Sequence, residues 1–206
     1  DSPPAAPPMV ALPARTRLVA ALAALAGAGA FAWTLVQGDA GLAWSAYLIG
    51  AFFALGLGLF GVLWIAIQAL AKAVWGVTMR RVPEAMTAWL LPGGLLALAV
   101  GLGAHDLYHW SHAEVVRADP LLTHKSAFLN LPLFYAFIAG SVVVWLVFAW
   151  AIMRNSRRQD ATGQAVLSHR NVTLSAVFVV LFAVTWSVVS FYLLMSLDAH
   201  WFSTMY

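Results

Sequence analysis

Apolar positions along this chain do not alternate; they run together. Five stretches, 18–36, 42–70, 85–104, 131–153 and 172–197, contain no Asp, Glu, Lys or Arg. Each is long enough to cross a hydrocarbon core of about 30 Å as a helix rising about 1.5 Å per residue. In lipid every backbone N–H and C=O must be satisfied within the segment, which leaves helix as the spanning structure. The pattern predicts an all-α polytopic membrane protein with five transmembrane helices. Residues 1–17, opening DSPPAAPPMV, are Pro-rich and aperiodic and read as a flexible tail ahead of a transmembrane domain over 18–206.

The punctuation inside the spans is specific. Ala46, Gly50, Ala54 and Gly58 recur every four residues on the second span, a ridge of small side chains suited to close helix approach. On the third, Pro92 cannot donate to the Ala88 carbonyl and Gly93 and Gly94 follow, so a kink or local unwinding is expected there. A packing kink and a transporter-like broken helix both fit that sequence. Polar side chains within the spans are few: Ser45, Tyr47, Gln68, Tyr135, Ser141, Thr185, Ser187, Ser190 and Tyr192, read as helix–helix hydrogen bonds. Midway through the bilayer there is no carboxylate.

Charge adds sidedness. Of the 11 Lys and Arg, nine lie before span one (Arg15, Arg17), between spans two and three (Lys72, Arg80, Arg81) or between spans four and five (Arg154, Arg157, Arg158, Arg170). The alternate connections carry Arg117 and Lys125 beside Asp39, Asp106, Glu114, Asp119 and Asp198. The positive-inside rule then predicts a cytoplasmic N-terminus and places the other connections outside. A nucleic-acid surface would not skip alternate loops, so the basic balance implies no nucleic-acid partner. The connection 154–170 reads as a solvated basic loop. With 63% hydrophobic and 9% charged residues, a soluble globular domain is excluded.

Candidate chemistry collects at the outer end, which holds five of the six histidines. In HDLYHWSH (105–112), a continuing helix would place His105, His109 and His112 at i, i+4 and i+7, a spacing open to a three-imidazole metal site. Interfacial or partner-docking structure and proton or quinol handling are the competing readings. Arg117, Asp119, His124 and Lys125 can pair at the surface, and Asp198, His200 and Trp201 mark the boundary after the fifth span. Glu84 is the inner carboxylate from which a proton route would start. No span interior contains a histidine, which disfavours haem b. The absence of cysteine excludes disulfides, iron–sulfur ligation and c-type haem attachment by this chain. Its non-Met start, its end just after an interfacial segment and its odd span count suggest a piece of a longer protein.

The segments RRVPEAMTAWLLPG (80–93), HDLYHWSH, DPLLTHKSAFLN (119–130) and LLMSLDAHWFSTMY (193–206) resemble the NrfD-like membrane subunits of alternative complex III, the bacterial quinol:cytochrome c oxidoreductase. The likeness runs from about Trp75 onward and is nearest to the second such subunit, the ActF type, also called quinone-binding subunit 2. It implies a ten-span protein of two four-helix bundles with flanking peripheral helices, of which this chain holds the first peripheral helix and first bundle. It also implies partners in the bacterial inner membrane: a sister NrfD-like subunit, an iron–sulfur subunit and c-type cytochrome subunits carrying the clusters and haem c. This chain would bind no cofactor and would not be catalytic alone, with quinol as a substrate of the complex. Proton half-channels are proposed for such bundles, and quinol fits the sister subunit better. Tyr135-Ala136-Phe137 stand where the resemblance leads one to expect an arginine. On this reading the quinol- or proton-handling candidates are Glu84, Asp106, Tyr108, His109, His112, Asp119, His124, Asp198 and His200. A secondary transporter fragment and a purely structural anchor are the alternatives.

Overall fold

A computed structural model describes residues 13–73 and 75–200, with the side chains of Val77 and Thr78 left aside. The described residues are overwhelmingly helical and contain no strand. Five helices are long and apolar enough to cross a membrane: α1 (Ala14–Val36), α2 (Ala40–Leu70), α3 (Arg81–Leu107), α4 (Leu131–Thr162) and α5 (Ala165–Leu193). The chain divides into two units, the first ending at Ala43 and the second beginning at Trp44. The first holds α1 and the start of α2. No residue of α1 is buried. Its helix begins directly after Pro13, so Arg15 and Arg17 are helical and only residues 1–12 of the expected tail lie outside the description.

The second unit is a packed four-helix bundle. Leu55, Leu59 and Val62 of α2, Leu90 and Ala97 of α3, Phe134, Ile138 and Trp145 of α4, and Phe178 and Val189 of α5 share one core, all essentially solvent-free. Without a hydrophobic drive between helices in lipid, close packing has to supply the attraction. The ridge predicted on α2 does this only at its far end. Ala46 and Gly50 are exposed, whereas Gly58 lies against the Trp89–Leu90 backbone so tightly that no Cβ would fit.

Gly93 answers it from α3. A Cβ there would sit 2.7 Å from the Leu55 Cα. The unwinding expected at 92–94 is therefore corrected: α3 stays α-helical through 90–99, and the irregular turns are 3₁₀ at Thr87–Trp89 and Val100–Gly103. A 3₁₀ turn lies one turn upstream of Pro92, whose ring carries no N–H. Gly93 serves contact with α2 and Gly94 lies against Val142 of α4, which favours a packing role over an open transporter-like break.

The connection 154–170 is also corrected. α4 continues to Thr162, Gly163 ends it at φ 65° in the left-handed region, and α5 starts at Ala165. The arginines of this segment thus stand on helix, with the Arg154 guanidinium 5.0 Å from the Trp150 ring. α5 itself ends at Leu193, four residues before the expected boundary, and a 3₁₀ turn over Met195–Asp198 follows.

Candidate functional site

The histidine-rich end of the second unit is built around a chain break in α3. Tyr108 leaves the helix with extended backbone (φ −116°, ψ 117°) and a 3₁₀ turn, His109–Ser111, succeeds it. Helical spacing is lost there, so His105, His109 and His112 do not share a helix face. The three-imidazole reading is corrected on that ground. His105 and His112 do meet, with ring centroids 3.9 Å apart and His112 Nε2 donating to the His105 carbonyl at 2.8 Å. His109 is exposed and apart from them in that pairing. Among the described residues no group of three or more His, Cys, Asp or Glu is arranged to hold a metal.

Tyr108 turns inward. It is buried, stacks on Trp110 at 5.1 Å between centroids, and donates its hydroxyl to the Leu193 carbonyl at 3.0 Å. That carbonyl belongs to the last turn of α5, where intrahelical donors run out. Burial pushes the phenol above its ordinary value, which keeps it a neutral donor. Tyr192 reciprocates from α5, donating to the Phe128 carbonyl at 2.8 Å. Two phenols thus clasp the connection between α3 and α4 to the end of α5.

The connection carries two short helices, Ala113–Ala118 and Pro120–Lys125. Asp119 caps the second, accepting from the Leu121 N–H at 2.8 Å, with Pro120 in its first turn. Its other oxygen pairs with His200 Nε2. Partial desolvation pulls the Asp119 carboxyl upward. The Leu121 N–H, the His200 imidazole and the Leu122 N–H outweigh it and hold the group below the usual carboxylate value. Lys125 donates to the Ala199 carbonyl at 2.6 Å, and Asp198 accepts from the His200 N–H at 3.1 Å. The expected surface pairing among Arg117, Asp119, His124 and Lys125 is therefore replaced by pairing with the segment after α5. Arg117 and His124 are exposed, as are Asp106, His109 and Asp198. Trp201 and the rest of the SLDAHWFSTMY piece lie outside the described residues.

Glu84 sits at the opposite end of the bundle, in the first turn of α3, with a side chain only 10% exposed. Arg80 Nε approaches its Oε1 at 3.1 Å, Arg81 donates to Oε2 at 2.6 Å, and the Ser156 hydroxyl of α4 donates to Oε1 at 2.7 Å. Arg81 also reaches Asp160, so the network bridges α3 and α4. Glu84 and the histidine-rich candidates stand at separate ends of the bundle. Within the bundle, two of the anticipated helix–helix bonds are present: Tyr47 to the Leu96 carbonyl at 3.1 Å and Trp145 Nε1 to the Thr185 hydroxyl at 2.8 Å.

Two features escaped sequence reading. One is a buried amide pair, Asn155 Nδ2 to Asn171 Oδ1 at 3.0 Å, with Asn171 also donating to the Ile152 carbonyl. The signal was an asparagine beside Arg170, at the edge of an apolar run. The other is a cavity of about 470 Å³ beside that pair, at the basic end.

Fold and site together define a multi-pass, all-α membrane protein. No family model matches the chain, and no curated protein matches its sequence.

Proposed function

We propose that this protein is an integral membrane subunit of a respiratory quinol:cytochrome c oxidoreductase, an NrfD-like subunit with a cytoplasmic N-terminus in the bacterial inner membrane. It docks the iron–sulfur and cytochrome partners through its histidine-rich face and contributes groups for proton movement at its two ends. The reading rests on the sequence resemblance, and one observation carries it further. The Asp119–His200 pair ties together two of the resembling segments, DPLLTHKSAFLN and LLMSLDAHWFSTMY, into one polar surface edged by exposed His109 and His124.

Quinol oxidation releases protons, and histidine is a common side chain for proton exchange. His109, His124, Asp106 and Asp198 are solvent-facing and suited to that task. Tyr108 is not: its hydroxyl is spent on a backbone carbonyl. That clasp favours a second reading, in which the face is purely a structural platform for peripheral electron carriers.

The test is made in the intact complex. His109→Ala and Asp198→Asn are introduced separately and quinol:cytochrome c turnover is measured alongside subunit content. Lowered turnover with full assembly supports the proton-handling role. Unchanged turnover in both variants leaves the platform reading, and membranes in which the tagged chain brings down neither haem nor iron–sulfur protein refute both.

A further inference from the structure

The cavity at the basic end has no part in the function proposed above. It opens among the end of α2, the start of α3 and the facing ends of α4 and α5, where the helices emerge from their apolar stretches. Its lining divides by chemistry. Lys72, Arg80 and His169 supply nitrogen groups, and Trp64, Ile65 and Val172 supply an apolar wall. No carboxylate is among the described residues that line it. Arg80 commits its Nε to Glu84, and Lys72 has no ion-pair partner among the described residues. Gln68, also in the lining, keeps its Oε1 shut off from solvent without a hydrogen-bond donor among the described residues. A buried acceptor left in that state costs free energy unless something donates to it.

We propose that this cavity binds the phosphate head of an anionic glycerolipid, with Lys72, Arg80 and His169 facing the phosphate and the Trp64 wall facing the first carbons of an acyl chain. Charge complementarity favours an anion, since Lys72 and His169 line the space with no carboxylate among the described lining residues, and Arg80 beside them shares its guanidinium with Glu84. The apolar wall favours an amphiphile over a bare ion. At about 470 Å³ the space suits a headgroup and not a whole lipid, whose chains would run along the outside of the bundle. Basic pockets between helix ends at the bilayer boundary recognise anionic heads by this physics.

The full chain, purified in detergent and stripped of lipid, is titrated with phosphatidylglycerol, phosphatidylcholine or inorganic phosphate and bound lipid is read by native mass spectrometry. Phosphatidylglycerol is expected to bind in preference to phosphatidylcholine. Lys72→Gln should weaken it about fivefold, the cost of one basic group near an anionic head. His169→Asn should weaken it further while leaving the Glu84 network intact. Arg157→Gln with Arg158→Gln, which removes two positive charges at the same end but outside the lining, should leave binding unchanged. Equal binding of the two lipids, or equal loss in the lining and control variants, overturns the site. Inorganic phosphate that displaces the lipid at matching concentration overturns the lipid assignment in favour of free phosphate.

Discussion

Replacing Tyr108 with Phe isolates one hydroxyl. The ring stays in its slot against Trp110 and Phe134, while the 3.0 Å bond to the Leu193 carbonyl disappears. Both residues are solvent-free, Tyr108 at 1% and Leu193 at 0% exposure, so water cannot replace the lost donor. An orphaned buried acceptor costs about 1–3 kcal/mol. Measured bonds within membrane bundles run lower, about 0.6 and at most about 1.7 kcal/mol. Since this bond caps a helix end where no intrahelical donor competes, about 1–1.5 kcal/mol is the expected loss. Tyr192→Phe is the internal control. It removes a bond of 2.8 Å, but the acceptor belongs to Phe128, which is 41% exposed and can recover water, so about 0.5 kcal/mol is expected. Both are read as shifts in the unfolding midpoint of the purified protein in mixed micelles of increasing SDS. Equal shifts, or none for Tyr108→Phe, would refute the claim that this phenol closes the end of α5. Turnover per assembled complex should not change in Tyr108→Phe, because the hydroxyl is placed as a clasp.

Further outcomes follow from other contacts. Asp119→Asn keeps the cap on the helix Pro120–Lys125 but removes the charge facing His200. Because the folded Asp119 carboxyl titrates below its ordinary value, its contribution is full above about pH 4 and lost as pH falls through the depressed value. Amide exchange of residues 195–200 should therefore rise relative to the Asn variant's flat profile below that point; parallel profiles would count against the pair. Gly93→Leu should prevent α2 and α3 from closing and leave little folded protein, whereas Gly50→Leu, with open space around it, should fold normally by size-exclusion profile. Deleting 114–125 should detach peripheral subunits on native gels while α3 and α4 still insert; retention of those subunits would remove the docking face from this connection.

Helix number and placement were readable because in lipid an uncharged run of about 20 residues has one structural outcome. The boundaries were not. Arg154, Arg157 and Arg158 look like loop residues by charge, yet a helix end crowded with arginine is stable once it leaves the apolar slab, and Gly163 alone fixes where α4 stops. The Pro92-Gly93-Gly94 run left a packing kink and a broken helix both open for a related reason. Local chemistry allows a break at that point, whereas the α2 backbone against Gly93 and the Val142 side chain of α4 against Gly94 decide whether the glycines are a hinge or a groove. The histidine cluster depended on Tyr108 continuing the helix. Nothing in HDLYHWSH reveals that the Leu193 carbonyl, far along the chain, takes its hydroxyl and turns the backbone out.

The two ends of the bundle are finished by opposite means, and this bears on where ligands can act. At the histidine end, Tyr108, Tyr192, Lys125 and Asp119 are each committed to a backbone or side-chain partner that closes the connection over α5. What remains for chemistry there is the exposed rim, His109, His124 and Asp198, which suits encounter with another protein better than enclosure of a small molecule. At the basic end the Glu84 network ties α3 to α4 along one side only, and the space beside it stays open with cations, an unsatisfied amide and an indole in its walls. If enclosure were the purpose of the histidine rim, replacing Tyr108 should open it and alter ligand affinity. The geometry instead predicts that affinity for an enclosed amphiphile responds to Lys72 and is indifferent to His109, and binding measured on those two variants side by side separates the two assignments.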